Sequence, residues 1–515
     1  MADNQLKVQF VNESVGLNQD IPSWLLPPSN FNIVENFRFR DGIYTSLPNP
    51  SELRNTQYFY ITFFKEHYYL ISATSTFAWE PMTNTYTNVM GTRTNITVNN
   101  AYQYTSENFN NVLVLNHPLG FPEYTTGSSQ ELQELPYDSS GDGMAFSERD
   151  IHFNALRAYR NFLFGLGVND EGTDYPFLVA WSDAADINGI PSTWNPADPT
   201  NLAGTTIIGE GEGNIVDGKQ AGDNFLIYRE KGITQVTYTG GQFVFRFKNL
   251  SETAGIIGNN CIAEINSSHF VFGDDDIYVV NNNELQSIAH NRIRKTLFRS
   301  IDADNFKTSF VEYNRSRNEV LFAYPKSGSS IPNAAYVYNL LENAWVHWDF
   351  EEGVHYMVSG ALNTGVRTYN SSTSSTSSFN EALGNYLQST GSLDDDILIS
   401  ANESNLSTFG ISNSRPRIIE RLSLNLKEHS DIIQVNTFWP FIEASQGTNV
   451  VIQQGYQETV NAVINWNDPF DFVVGEDIFV PDIVAGHLYC IRFIVYNGDV
   501  NISGYELNAQ QAGTR

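Results

Sequence analysis

Nine histidines and two cysteines, Cys261 and Cys490, are the side chains of this 515-residue chain best suited to holding a transition metal. They are scattered, and no two histidines have the HxH, HxxxH or HExxH spacing that aims two ring nitrogens at one point. Acidic side chains do cluster, at Asp274-Asp275-Asp276 and Asp394-Asp395-Asp396. Grouped carboxylates can hold calcium or serve as the acid–base pair of a glycosidase. The first triplet, however, separates the apolar runs HFVFG and IYVVN, where a tight turn favours Asp. The run GEGEGN (209–214) has close glycines but no Lys-Ser/Thr, and its acids would repel a phosphate. The sequence therefore reads as a chain with no catalytic residue, no cofactor and no metal site, and not as an enzyme.

Residues suited to docking a partner are easier to name. Arg292, Arg294, Lys295 and Arg299, with Lys307 beyond them, form the one basic cluster. It suits an acidic partner or DNA passing nearby; the plainer alternative is a solvated helix face paired with local acids. Trp181 and Trp194 lie in a long loop, and Trp345 and Trp348 in NAWVHWDF. Such rings stack on sugars, but in β proteins they more often fill the core. The partner-docking candidates are thus Arg292, Arg294, Lys295, Arg299, Trp181 and Trp194.

The bulk composition limits the function classes. With 29 Lys+Arg against 58 Asp+Glu, the formal net charge is -29. Nucleic-acid binding runs on basic patches that release counterions, so sequence-specific DNA binding is not expected. Two thiols cannot make a disulfide scaffold and suit a reducing compartment. The opening MADNQLKVQFVNESVGLNQD lacks a basic and an apolar region, so no signal peptide is expected. No run of about 20 apolar residues suggests a membrane anchor.

Aromatic residues make up 13% and charged residues only 17% of the chain, a balance that favours strands. Short apolar runs recur about every ten residues, among them ITFF before Lys65-Glu66, NNVLVLN (110–116), NFLIYRE (224–230), NEVLFAYP (318–325) and AAYVYNL (334–340). This rhythm predicts an all-β sandwich, barrel or propeller. Lys65-Glu66, Gly240-Gly241 and Asp274-Asp275 read as turns, and short helices are expected within 288–302 and 379–387. The Pro- and Asp-rich stretch 181–204 reads as a functional or packing loop. The tract YNSSTSSTSSF (369–379) cannot build a core.

Several stretches, in order, carry a resemblance. GLNQDIPSWLLPPSNFNIVENFRFRDGIYTSLP (16–48), YRNFLFGLGV (159–168), PFLVAWSDAADINGIPSTWNPADPTNLAG (176–204), the stretches 217–247 and 254–282, NAWVHWDF (343–350) and the C-terminal 487–515 resemble the tail nozzle or hub proteins of short-tailed phages. The resemblance implies a β-propeller with an additional sandwich-like or inserted segment. The expected division is a propeller over 1–360, its N-terminal strand closing with C-terminal strands; a Ser/Thr-rich insertion or linker over 361–416; and a C-terminal β region over 417–515. The resemblance also implies a structural virion protein made in the bacterial cytoplasm. It would assemble as a six-fold ring below the portal-adaptor, carry fibres or spikes, and let DNA pass without binding it. The rival is a carbohydrate-binding or glycan-hydrolysing propeller, which needs convergent carboxylates and exposed aromatic rings in a cleft.

Overall fold

Hairpins joined by left-handed residues are the unit from which this chain is built. Lys65 and Glu66 both have positive φ, as do Asn266 and Ser267 and Asp41 and Gly42. Two successive positive-φ residues give the turn whose twist matches that of paired strands. Asn supplies many of the single positions: Asn84, Asn110, Asn283, Asn318 and Asn343 all have φ between 51° and 69°. Asn tolerates this region because its short amide bonds locally to the backbone. In a computed structural model of the chain, the described residues are 5–11, 16–81, 83–91, 104–128, 130–139, 143–186, 189–209, 213–240, 243–281, 283–362, 396–427 and 431–514. The Ser/Thr tract, the helix expected within 379–387, Asp394 and Asp395, Gly241 and the middle of GEGEGN lie outside them.

These hairpins form a β-propeller, and its seven blades are counted among the described residues. Six are separate four-stranded antiparallel sheets: blade 1 (60–88), blade 2 (105–134), blade 3 (151–207), blade 4 (215–251), blade 5 (262–287) and blade 7 (354–408). The strands of blade 6 (310–349) run on into a ten-stranded sheet. The inner strand of blade 7 packs against that of blade 1, so the circle closes. The outermost strand of blade 7 is Ser51–Arg54, which pairs with Leu406–Thr408. An N-terminal strand thus completes the last blade. Middle strands such as Val112–Asn116, Glu319–Tyr324 and Ala334–Asn339 are buried at every position. Each is covered on both faces by neighbouring blades, so it reads as a continuous apolar run and not as an alternation.

Beyond blade 6 lies a β-sandwich made from both ends of the chain. One sheet contains Phe37–Arg40, Ile43–Ser46, Asn501–Thr514, Asp431–Glu443 and Val484–Gly486, with Gln5–Val11 alongside Asn501–Thr514. The other contains Ile33–Glu35, Arg417–Leu424, Leu488–Val495 and Asn449–Gln457. Phe438, Phe493 and Tyr505 fill the space between, with ring centroids 5.3–6.2 Å apart. The strands Gln5–Val11, Ile33–Glu35, Phe37–Arg40 and Ile43–Ser46 therefore belong with those of the C-terminal region, outside the propeller. The strands Asp396–Asn402 and Leu406–Thr408, within the stretch read as an insertion or linker, are blade 7. Sequence could not show this, because a short strand carries no local signal of which distant strand it pairs with.

Asn36 makes the joint between the two bodies. It has φ 62° and is fully buried. Its Nδ2 donates to Pro416 O at 3.0 Å, its Oδ1 accepts from Asp349 N at 2.8 Å, and its backbone N donates to His347 O at 2.9 Å. Beside it, Trp348 Nε1 donates to Phe37 O. Asn36→Ala would orphan two buried backbone groups and force Ala into the left-handed region. It is expected to cost about 3 kcal/mol in urea unfolding monitored by tryptophan fluorescence. A loss below about 1 kcal/mol would mean that the joint lies elsewhere.

Candidate functional site

The inner strands of the propeller deliver polar side chains to its axis. Arg157, on the inner strand of blade 3, is 5% exposed. Its Nε and Nη2 each donate to the Asp217 carboxylate of blade 4 at 2.7 Å. Nη2 also donates to Asn260 Oδ1 at the entry to blade 5, and Nη1 to Ser106 O of blade 2. Asn260 returns bonds to Asp217 Oδ2 and to Tyr104 O. Four blades thus meet on one guanidinium. Burial opposes ionisation of Asp217, but the Arg157 charge and the converging donors outweigh it and hold the carboxyl below its usual range. Burial works against the Arg157 charge as well, and Asp217 more than restores it. Tyr60 and Tyr104 stack beside this group and are themselves buried. Buried side chains from blades 1 to 5 thus meet and fill this part of the axis.

Two further acids lie on inner strands: Glu107 of blade 2, which accepts from Arg157 Nη1 at 3.5 Å, and Glu312 of blade 6. Burial pushes the Glu312 carboxyl up to about 7, although Ser359 N donates to it at 2.8 Å and Lys219 lowers it.

One face of the propeller opens into a basin of about 1000 Å³ over blades 3 to 5. His152, Asp174, Tyr175, Glu230, Asp274 and Lys307 line it. Tyr175 is exposed, while Glu230 and Lys307 form an ion pair at 3.8 Å. Burial, then the neighbouring Asp275, raise the Asp274 carboxyl above its usual range.

The basic cluster occupies the helix Arg294–Ser300 and the turn before it. The helix holds Leu297 in the core, and Asp20 accepts from Lys295 N and Thr296 N at its start. Arg294 clamps the acidic triplet: its Nε donates to Asp275 O and its Nη2 to Asp275 Oδ2, both at 2.7 Å. The fold therefore brings the acidic turn and part of the basic cluster together. The Arg292 carbonyl accepts from Gln19 N and Asp20 N. Lys295 and Arg299 are exposed.

The tryptophans lie elsewhere. Trp194 is 3% exposed and packs on Phe146 and Phe153, so its side chain is core and offers nothing to a partner. Trp181 is half-buried, stacks on Phe164 and donates to Leu202 O. Trp345 and Trp348 are buried. The loop 181–204 thus folds back through its own aromatic residues. Among the described residues no group of three or more His, Cys, Asp or Glu is placed to hold a metal ion. Cys261 and Cys490 are buried free thiols. Sequence reading missed Arg157, Asp217 and Asn260; the only available signal was a charged residue inside an otherwise apolar strand candidate, as in ALRAY (155–159).

No family model matches the chain, and no curated protein matches it. Solved structures similar to it are propellers at low identity. YCF48 bound to D1 peptide is 9% identical with a TM-score of 0.37, covering 75% of this chain and 99% of that one. The AfRom2 CNH domain is 10% identical with a TM-score of 0.37, covering 70% and 97%. The Cps50 (Swd1) β-propeller domain of Myceliophteria thermophila is 10% identical with a TM-score of 0.36, covering 61% and 92%. The propeller assignment rests on the blade topology itself.

Glu312 gives a pH-dependent prediction. Its folded value lies above the unfolded one of about 4.5, so folding favours the protonated form. The resulting stability is full below about pH 4.5 and is lost as pH rises through about 7. Glu312→Gln should therefore stabilise the protein at pH 8 by roughly 3 kcal/mol and leave it near wild type at pH 4. Urea titrations at both pH values check this; equal effects at the two would refute it. Arg157→Met leaves Asp217 buried without its partner and should cost about 3–5 kcal/mol at pH 7. A change under about 1 kcal/mol in the same titration would show that the axis does not depend on this pair.

Proposed function

We propose that the chain is a structural protein of a short-tailed phage tail, a nozzle or hub subunit that assembles into a ring below the portal-adaptor and anchors fibres or spikes. The observation that carries this reading is where the resembling stretches meet. Asn36 and Phe37 of NFRFRDG bond to His347, Trp348 and Asp349 of NAWVHWDF. Tyr44 of the same N-terminal stretch pairs with Ile502 of the C-terminal one. Segments more than 300 residues apart in sequence thus build one joint between propeller and sandwich.

The mechanism proposed is assembly and conduction. The axis of a single propeller is filled by side chains around Arg157 and Tyr60, so DNA would run through the lumen between subunits. A net charge of -29 favours walls along which DNA slides without sticking. The second reading, a carbohydrate-binding or glycan-hydrolysing propeller, is favoured by the basin with Tyr175, Asp174 and Asp274.

Mass photometry of the purified chain, alone and with the phage's portal-adaptor complex, tests the first reading. A ring of about six copies is expected in at least one condition. A monomer that ignores the adaptor but binds or cleaves sugars on a glycan array would replace it with the second.

A further inference from the structure

A chain of net charge -29 repels its own copies, so a contact between copies gains from setting its few unpaired cations against acids. From Leu285 to Ile301 the sequence has four Lys or Arg and no Asp or Glu. Arg294 is held by Asp275. The side chains of Lys295 and Arg299, one turn apart on the exposed side of the helix Arg294–Ser300, have no ion-pair partner among the described residues.

The opposite composition occurs at the far end of the sandwich. Between Lys427 and Arg492 there are nine Asp or Glu and no Lys or Arg. Here the chain also exposes apolar side chains: Val463 is 85%, Ile478 77%, Ile483 60% and Phe479 44% exposed. Ile478, Phe479 and Ile483 belong to one loop, which Asn467 ties down by donating from Nδ2 to Ile483 O and to Asp482 Oδ2, while Phe479 lies against Trp439. Asp468 and Glu476 are exposed at the margin and have no ion-pair partner among the described residues. An apolar centre with a charged rim is the composition of a protein interface, not of ordinary surface.

The two surfaces cannot meet within one chain. The basic turn leads from Ile288, whose carbonyl accepts from Trp345 on the outer strand of blade 6. From that strand the sheet runs through Ile33–Glu35, Arg417–Leu424, Leu488–Val495 and Asn449–Gln457 to Phe470–Val473, where the acidic loop begins. Five strand spacings separate them, about 24 Å.

We infer that the acidic, apolar loop 468–483 of one copy docks on the basic helix Arg294–Ser300 of a second copy. This names the contact that closes the ring and rests on the ring reading above. Two different patches meeting head to tail give a heterologous interface, which closes into a ring when the rotation allows. The apolar side chains supply affinity, and the charges set register and encounter rate.

Charge exchange tests this. Sedimentation velocity on the purified chain would compare wild type with Lys295→Glu/Arg299→Glu, with Asp468→Lys/Glu476→Lys, and with all four changes in one chain; circular dichroism checks each fold. Either pair alone should weaken assembly about tenfold or more, and the combined chain should recover it. Ile478→Ser should weaken assembly without changing its salt dependence. If a reversal fails to fold, Lys295→Gln/Arg299→Gln reads the same loss at smaller size. Assembly unaffected by every variant, or a combined chain no better than either pair, overturns this contact and leaves the ring standing. A wild type that stays monomeric at every concentration overturns this contact, and the ring reading then rests on the portal-adaptor experiment.

Discussion

A circular fold of seven sheets has one geometric weakness, its axis, where inner strands converge with no apolar partner opposite. Here that constraint is met by the Arg157–Asp217–Asn260 group. One guanidinium reaches Ser106 O, Asp217 and Asn260, and Asn260 O in turn accepts from Val311 N of blade 6. The cluster spans blades 2 to 6 with few bonds left unmade. A buried ion pair is seldom a large net source of stability, but breaking it leaves an uncompensated charge. Its structural value lies in fixing how neighbouring blades register, and the basin over blades 3 to 5 inherits its shape from that register.

The second constraint is closure. A blade left with an open outer edge would present unpaired backbone groups. Ser51–Arg54 supplies that edge for blade 7, which pulls the N-terminal region toward residues 406–408. The rest of that region then has little choice but to pack with the C-terminal strands, and two buried arginines secure it. Arg417 donates to Leu47 O, Ile411 O and Tyr496 O, and Arg421 donates to Ser23 O and Leu26 O. Each saturates backbone carbonyls of loops that have no sheet partner. The sandwich is therefore a direct consequence of how the propeller closes, and the continuous sheet through Ile33–Glu35 couples the two bodies stiffly.

Strand rhythm and turn chemistry were legible in the sequence. The hairpin tip at Lys65-Glu66, the turn at Asp274-Asp275 and the short helix within 288–302 are all present. The all-β propeller class followed from the same rhythm together with the resemblance. The division into bodies was not legible. Residues 5–46 look like any other strand-rich stretch, and nothing local says that their partners lie 400 residues on. The exposure of the docking candidates was legible in part. The basic cluster has exposed members, whereas Trp194 is core because Phe146 and Phe153 surround it, a contact invisible at sequence level. Arg157 escaped notice because one charge in an apolar strand reads as an edge position until its partner, 60 residues away, is known.

The central claim is that this chain is a ring-forming part of a short-tailed virion. Its most direct test is a focused electron cryo-microscopy reconstruction of the tail of particles that carry this chain, with peptide mass spectrometry of the same particles. The account predicts density for a seven-bladed propeller and its sandwich, repeated around the tail axis just beyond the portal-adaptor. Particles that lack the chain, or that place a single copy away from that axis, would contradict it.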